Sequence, residues 1–224
     1  MHEIAVNEKI LAANDAIAAA NRRFFESRRI FAVNVISSPG SGKTSLIEAA
    51  ARRLGPRLPM AVVEGDMTTE LDAERIGRCG VAARQITTGR ACHLDAHMIS
   101  HVLDWVGSLE GLRLLIIENV GNMVCPAGYD LGEAAKIAVM SVAEGDDKPL
   151  KYPALFAASP VLVINKTDLL GHTDFDMDRA EENARAVNPE IRILRTSCRT
   201  GEGLERWCAF LEGNALAPED SSTR

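Results

Sequence analysis

Ser37-Ser38-Pro39-Gly40-Ser41-Gly42-Lys43-Thr44, followed by Ser45, has the residue types and order of a loop that cradles phosphate. Gly40 and Gly42 let the backbone turn tightly and bring its N–H groups to phosphate oxygens. A helix starting here adds its positive end. Lys43 can reach the β- and γ-phosphates as a point charge, and the Thr44 hydroxyl can bind Mg²⁺. The apolar, β-branched run 31–36 before the loop and the helical periodicity after it complete the strand–loop–helix order the motif requires. The pattern opens on Ser37 where Gly is usual, which removes some turn freedom but none of the groups that touch phosphate. An ordinary strand–helix turn is the plain alternative, and the flanking elements count against it.

A second constellation is Asn165-Lys166-Thr167-Asp168, again after an apolar strand. A carboxylate at Asp168 can accept from N1–H and the 2-amino group of guanine, whereas adenine would leave that charged acceptor unpaired. Hydrogen bonds to charged groups contribute ~1.5–3 kcal/mol each, so two can exclude adenine by orders of magnitude. Lys166 would lay its stem over the base, and Asn165 would tie this loop to the phosphate loop. Ser197 and Cys198 stand where a further base loop is expected, offering backbone N–H to the base oxygen. The chain therefore reads as a binder of GTP and GDP. A small-molecule P-loop kinase would lack the guanine reader, and a helix-capping loop would not explain its placement.

Two carboxylates, Asp66 and Glu118, fall just past strand ends, where ligands collect in open α/β sheets. Mg²⁺ takes an octahedron of hydroxyl, phosphate, water and one or two acids, so Thr44, Asp66 and Glu118 are the expected ligands. Asp66 is expected to orient the attacking water, with Lys43 as the second catalytic group; Gly121 is where a γ-phosphate could draw the backbone inward. Capping of the next helix is the competing role for each acid. No catalytic Gln or arginine finger is evident, so turnover is expected to be slow or completed by a partner.

Cys92-His93 and Cys125 are the remaining metal-type residues. Two thiolates and one imidazole could hold a transition metal with a fourth position open. Adjacent residues on extended chain point opposite ways, so chelation needs a turn or a second subunit. Buried packing of the cysteines and a helix-start role for His93 account for the pattern almost as well. The other cysteines, Cys79, Cys198 and Cys208, read as packing or loop residues.

The elements that must position these groups follow from composition and periodicity. With 224 residues, 46% of them hydrophobic, the chain can bury one full core. A net charge of −6 argues against a nucleic-acid partner. No apolar run approaches a membrane span, the start lacks a signal-peptide layout, and an odd, scattered set of five cysteines suits a reducing cytoplasm. Strands are expected at 60–64, 82–86, 112–118, 136–142, 161–164 and 191–196, besides the first. Helices are expected at 70–79, 94–106, 181–187 and 204–211. The alternation predicts an α/β fold: a single doubly wound, mostly parallel sheet. Ile10, Ile17 and Phe24, with Ala13 and Ala20 between, predict an N-terminal amphipathic helix packed on this domain or on a second copy. The expected organisation is a helical arm at 1–29, a nucleotide domain at 30–213 and a disordered tail at 214–224.

Taken together, the phosphate loop, Glu64-Gly65-Asp66, Ala91-Cys92-His93-Leu94-Asp95-Ala96, Glu118-Asn119-Val120-Gly121-Asn122-Met123-Val124-Cys125-Pro126 and Asn165-Lys166-Thr167-Asp168 closely resemble the HypB family. These are the hydrogenase nickel-incorporation GTPases of the SIMIBI class, and the likeness covers nearly the whole chain except the tail. The resemblance implies a GTPase that dimerises on GTP and helps deliver nickel to the [NiFe]-hydrogenase large subunit, with the HypA accessory protein as partner. It also implies a zinc- or nickel-binding site at the dimer interface, onto which Cys92, His93 and Cys125 map. The family's Cys-rich N-terminal motif and His-rich stretch are not present in this sequence. A nucleotide-gated scaffold without relevant turnover, or a urease-type nickel GTPase, is the alternative reading.

Overall fold

Seven apolar segments separated by helices leave the backbone one economical arrangement, a parallel sheet covered on both faces. The computed structural model describes residues 2–67 and 71–217, and only the backbone of residues 2–8. In chain order the elements are α1 (His2–Ser27), β1 (Phe31–Ser37), α2 (Lys43–Leu54), β2 (Met60–Asp66) and α3 (Leu71–Gly77). Next come β3 (Ala82–Thr87), α4 (Ala96–Ser100), α5 (Leu103–Ser108), β4 (Leu114–Glu118) and β5 (Ala135–Ser141). The chain closes with α6 (Lys148–Lys151), α7 (Pro153–Ala158), β6 (Val161–Asn165), α8 (Met177–Val187), β7 (Arg192–Arg195) and α9 (Leu204–Ala215). Among the described residues the seven strands form one sheet in the order β3-β2-β4-β1-β5-β6-β7, and every pair is parallel. The doubly wound expectation holds, and the sheet is wholly parallel.

Alternation along β1 shows how the faces divide. Val33 and Val35 join Leu46, Ile47 and the fully buried Trp207 beneath α2 and α9, while Ala32 and Ile36 face the opposite layer. Trp207 donates its indole N–H to Leu46 O at 3.2 Å, so its one polar atom is satisfied in the core. Asn34 shares the face of Ala32 and Ile36 and is fully buried, a polar residue in the most central strand.

Several expected boundaries shift. The helix expected over 94–106 is two short ones, with a break at His101 and Val102. Residues 148–158 carry α6 and α7, which periodicity did not reveal because Pro149 and Pro153 divide them into single turns. The last helix runs through Asn214 to Ala215, and the rest of the expected tail, residues 218–224, lies outside the described residues. Glu70, the expected start of the third helix, does too.

α1 also turns a different face inward. Ile10 is 49% exposed, Ala13 and Ala20 are exposed, and Ile17 and Phe24 are half-buried, whereas Asn14, Ala18, Asn21 and Phe25 are buried. The reason is polar. Asn21 Nδ2 donates to Ala96 O at 2.9 Å and Leu131 O at 3.0 Å, and Asn14 accepts from Ala96 N at 2.9 Å while donating to Asp130 O. Buried backbone groups of two loops need partners, and the amides supply them. Arg22 locks the register with two bonds to Asp130 at 2.7 and 2.8 Å.

Candidate functional site

The phosphate loop joins β1 to α2 at the carboxyl edge of the central strand. Gly40 and Gly42 have φ of +77° and +94°, and a Cβ on Gly42 would fall 2.5 Å from Asn165 Nδ2. Glycine is therefore demanded there both by conformation and by close approach. No side chain caps the start of α2, which leaves its first-turn N–H groups facing the loop. Ser37 earns its unusual place: its hydroxyl accepts from Lys43 Nζ at 3.2 Å and donates to Ser38 O at 2.6 Å. Lys43 is thereby held almost buried, with Nζ 3.9 Å from Glu118 Oε1.

Beneath the loop lies a cavity of about 630 Å³ lined by Lys43, Thr44, Glu64, Asp66, Glu118 and Gly121, among others. Thr44 Oγ1 donates to Glu118 Oε1 at 2.8 Å. Glu64, a residue sequence reasoning had not singled out, pairs with Glu118 in the β2/β4 register and is equally buried. Burial, and next the charge of Glu118, push the Glu64 carboxyl up to about 11. That direction favours the protonated form, and two of the buried oxygens without a hydrogen-bond partner, Glu64 Oε1 and Glu118 Oε2, lie in this pair. Its signal was present in the sequence: the strand expected at 60–64, like that at 112–118, ends on a carboxylate.

Glu144 and Lys148 were also missed, because they sit one turn apart in the segment that showed no helical period. Ser41 Oγ donates to Glu144 Oε1 at 2.6 Å, Lys148 pairs with Glu144 at 2.7 Å, and Lys148 Nζ donates to the Ser38 hydroxyl. Burial would raise the Glu144 carboxyl, but the bonds from Lys148 and Ser41 hold it below the usual carboxylate range.

A second cavity, about 830 Å³, adjoins the first and is bordered by Ser45, Asn165, Lys166, Asp168 and Cys198. Asn165 Nδ2 donates to Ser41 O at 3.1 Å and Lys166 Nζ to Gly40 O at 2.6 Å, so this loop is tied to the phosphate loop as its sequence suggests. Lys166 adopts φ +62° and lines both cavities. Asp168 Oδ1 accepts from Ser197 Oγ at 2.5 Å. Ser197 differs from expectation in its backbone, for its N–H donates to Glu202 O at 3.0 Å.

The third cluster is thiolate and imidazole. Donor atoms of Cys92, His93 and Cys125 lie within 4.8 Å of one another in a single chain. The sulfurs are 3.1 Å apart, and Cys92 Sγ is 3.7 Å from His93 Nδ1. A turn leads directly into the adjacent ligands: Ala91 N donates to Thr88 O at 3.1 Å, and Thr88 Oγ1 donates to Ala91 O at 2.8 Å. The His93 ring leans on Tyr129 at 4.1 Å. The hydrogen bond between Cys92 and Cys125, followed by burial, raises the Cys92 thiol; burial lowers His93 against the pull of Asp95. That direction favours the neutral imidazole, the form that can ligate a metal. Cys208 is buried in the core and Cys79 and Cys198 pack partly against it, as expected of structural thiols.

A parallel sheet with a phosphate loop on its central strand and a guanine-type loop beside it defines a P-loop nucleotide-binding protein. Residues 31–195 match the family model described as CobW/HypB/UreG, nucleotide-binding domain. The hydrogenase maturation factor HypB of Azotobacter vinelandii is 54% identical over 207 residues, covering 92% of this chain and 68% of the relative. The crystal structure of HypB from Archaeoglobus fulgidus superposes with a TM-score of 0.85 at 40% identity, covering 92% of this chain and all of that one. HypB from Helicobacter pylori, solved in complex with nickel, superposes with a TM-score of 0.85 at 41% identity, over 90% of this chain and 95% of that one. The chain belongs to the HypB family of hydrogenase maturation factors.

Proposed function

We propose that this chain is a GTP-hydrolysing metallochaperone that assists nickel insertion into [NiFe]-hydrogenase. One observation carries the reading. Residues 118–125 form a single short loop whose first residue bonds Thr44 of the phosphate loop at 2.8 Å and whose last places its sulfur 3.1 Å from Cys92. A change at the terminal phosphate and a change at the thiolates therefore share one piece of backbone.

GTP would lie with its phosphates on residues 38–45 and Lys43, and its base against Asp168, between Lys166 and the Ser197-Cys198 loop. Mg²⁺ fits the residues present: Glu118 Oε2 is buried without a partner, and Thr44 Oγ1 and Asp66 line the same cavity. The ion would supply charge neutralisation at the β- and γ-phosphates. Asp66 then orients the attacking water, and Lys43 stabilises charge on the transferred group. Nickel, or zinc in its place, is cargo at Cys92, His93 and Cys125, whose soft sulfur and imidazole donors suit either ion. Dimerisation on GTP, the HypA accessory protein and the hydrogenase large subunit are the partners of this reading, in the cytoplasm. Among the described residues no helix is long and apolar enough to cross a membrane.

Asp66→Asn tests the coupling of turnover to delivery. GTP hydrolysis by the purified variant and hydrogenase activity in a strain lacking the native protein should fall together, with activity restored by added nickel. Full hydrogenase activity from a variant that no longer hydrolyses GTP would leave only a nucleotide-gated scaffold.

A further inference from the structure

Two asparagine side chains stitch the 118–125 loop to the loop bearing Cys92 and His93, and they bracket the imidazole. Asn119 Oδ1 accepts from Leu94 N and Val120 N, both at 3.0 Å, and its Nδ2 donates to Asn34 Oδ1 at 3.1 Å. Asn34 in turn donates to Glu133 Oε1 at 3.2 Å. Every partner fixes the amide orientation, because a rotated amide would set N–H against N–H at Leu94. Asn122 accepts from Val124 N at 2.9 Å and donates to Cys92 O at 3.3 Å.

The two bonds differ in standing. Asn119 is buried at 1% exposure on a strand-borne amide of the sheet, so breaking its bonds would orphan polar groups with no water to replace them. The bond from Asn122 is long, exposed and replaceable by solvent. Between them lies Gly121, packed so closely on the phosphate loop that an added Cβ would sit 3.0–3.2 Å from three atoms of Pro39. The residue that touches the nucleotide loop is thus flanked by one permanent tie and one releasable tie to the metal-type loop.

We propose that Asn119 is a fixed anchor and Asn122 a releasable latch, positioning residues through which the nucleotide state sets the geometry of the nickel cradle. This rests on the GTP-gated reading above. Displacement at Gly121 leaves Leu94, and with it the His93 backbone, held by Asn119. The same displacement withdraws Asn122 from Cys92, so the two thiolates change separation while the imidazole stays.

The test titrates nickel(II) chloride against a competing chelator on the full chain, with GDP and with guanosine imidotriphosphate. Wild type, Asn122→Ala and Asn119→Asp are compared, and sulfur-to-nickel charge-transfer absorption reports the thiolates. The affinity ratio between nucleotide states should shrink by about 2–10-fold in Asn122→Ala, the worth of one exposed neutral hydrogen bond, with guanine-nucleotide affinity unchanged. Asn119→Asp keeps the acceptor for Leu94 N and loses the donor to Asn34. It should weaken nickel binding equally in both states. A wild-type ratio that persists in Asn122→Ala overturns the latch alone, and a state-dependent effect of Asn119→Asp overturns the anchor. Equal nickel affinity in both states of wild type overturns the gated reading itself, and the latch with it.

Discussion

Replacing Glu64 by Gln should stabilise the nucleotide-free protein, and by an amount that grows with pH. Glu64 keeps its proton in the folded state up to about pH 11, against an ordinary value of 4.5 for an unfolded chain. Between those limits the folded state binds one proton more than the unfolded state, so this group's contribution to stability falls as pH rises, by ~1.4 kcal/mol per pH unit. It is fully present below pH 4.5 and has lost about 3 kcal/mol at pH 7. Gln has the same shape and needs no such protonation. It does bring a second N–H into a buried site where Glu64 Oε1 already lacks a partner, costing about 1 kcal/mol. The net expectation is a gain of about 2 kcal/mol at pH 7, vanishing near pH 5 and larger at pH 8. Urea denaturation of nucleotide-free, magnesium-free wild type and variant at several pH values measures it. A variant whose stability runs parallel to wild type across that range would show that Glu64 is ionised in the fold and that the reasoning is wrong.

Asp168→Asn should move nucleotide preference from guanine toward xanthine, since the amide can donate to a 2-oxo group. Loss of two charge-assisted bonds lowers GTP affinity by roughly 100-fold or more, and a GTP affinity that survives removes Asp168 from the base site. Asn21→Ala should cost about 2–3 kcal/mol in urea denaturation, because it strips the donors from two buried carbonyls, Ala96 O and Leu131 O. A cost near zero would mean that α1 is held by its apolar contacts alone.

The parts of the fold that were legible are those with a strict local pattern. The β1, β4 and β6 runs are mostly apolar because helices cover both faces, and the phosphate and base loops need fixed residue types at fixed spacing. A metal role for Cys92, His93 and Cys125 was suggested by residue type, but their meeting within one chain joins residues more than thirty apart, which no period announces. Illegible features came from tertiary demands. Heptad-spaced Ile10, Ile17 and Phe24 looked like the inward face of α1, yet carbonyls at Ala96, Asp130 and Leu131 required amides instead. Glu64 read as the ordinary end of a strand, and only the register with Glu118 makes it half of a buried carboxyl pair. Glu144 and Lys148 reach Ser41 and Ser38 across more than a hundred residues of chain, a relation no local window contains.

Nickel-edge X-ray absorption on the full chain, loaded with equimolar nickel and either GDP or guanosine imidotriphosphate, tests the link between phosphate and metal most directly. The account predicts sulfur and imidazole scatterers around nickel, with sulfur distances or number that differ between the two nucleotide states. Identical spectra in both states, or a nickel ion without sulfur neighbours, would contradict it.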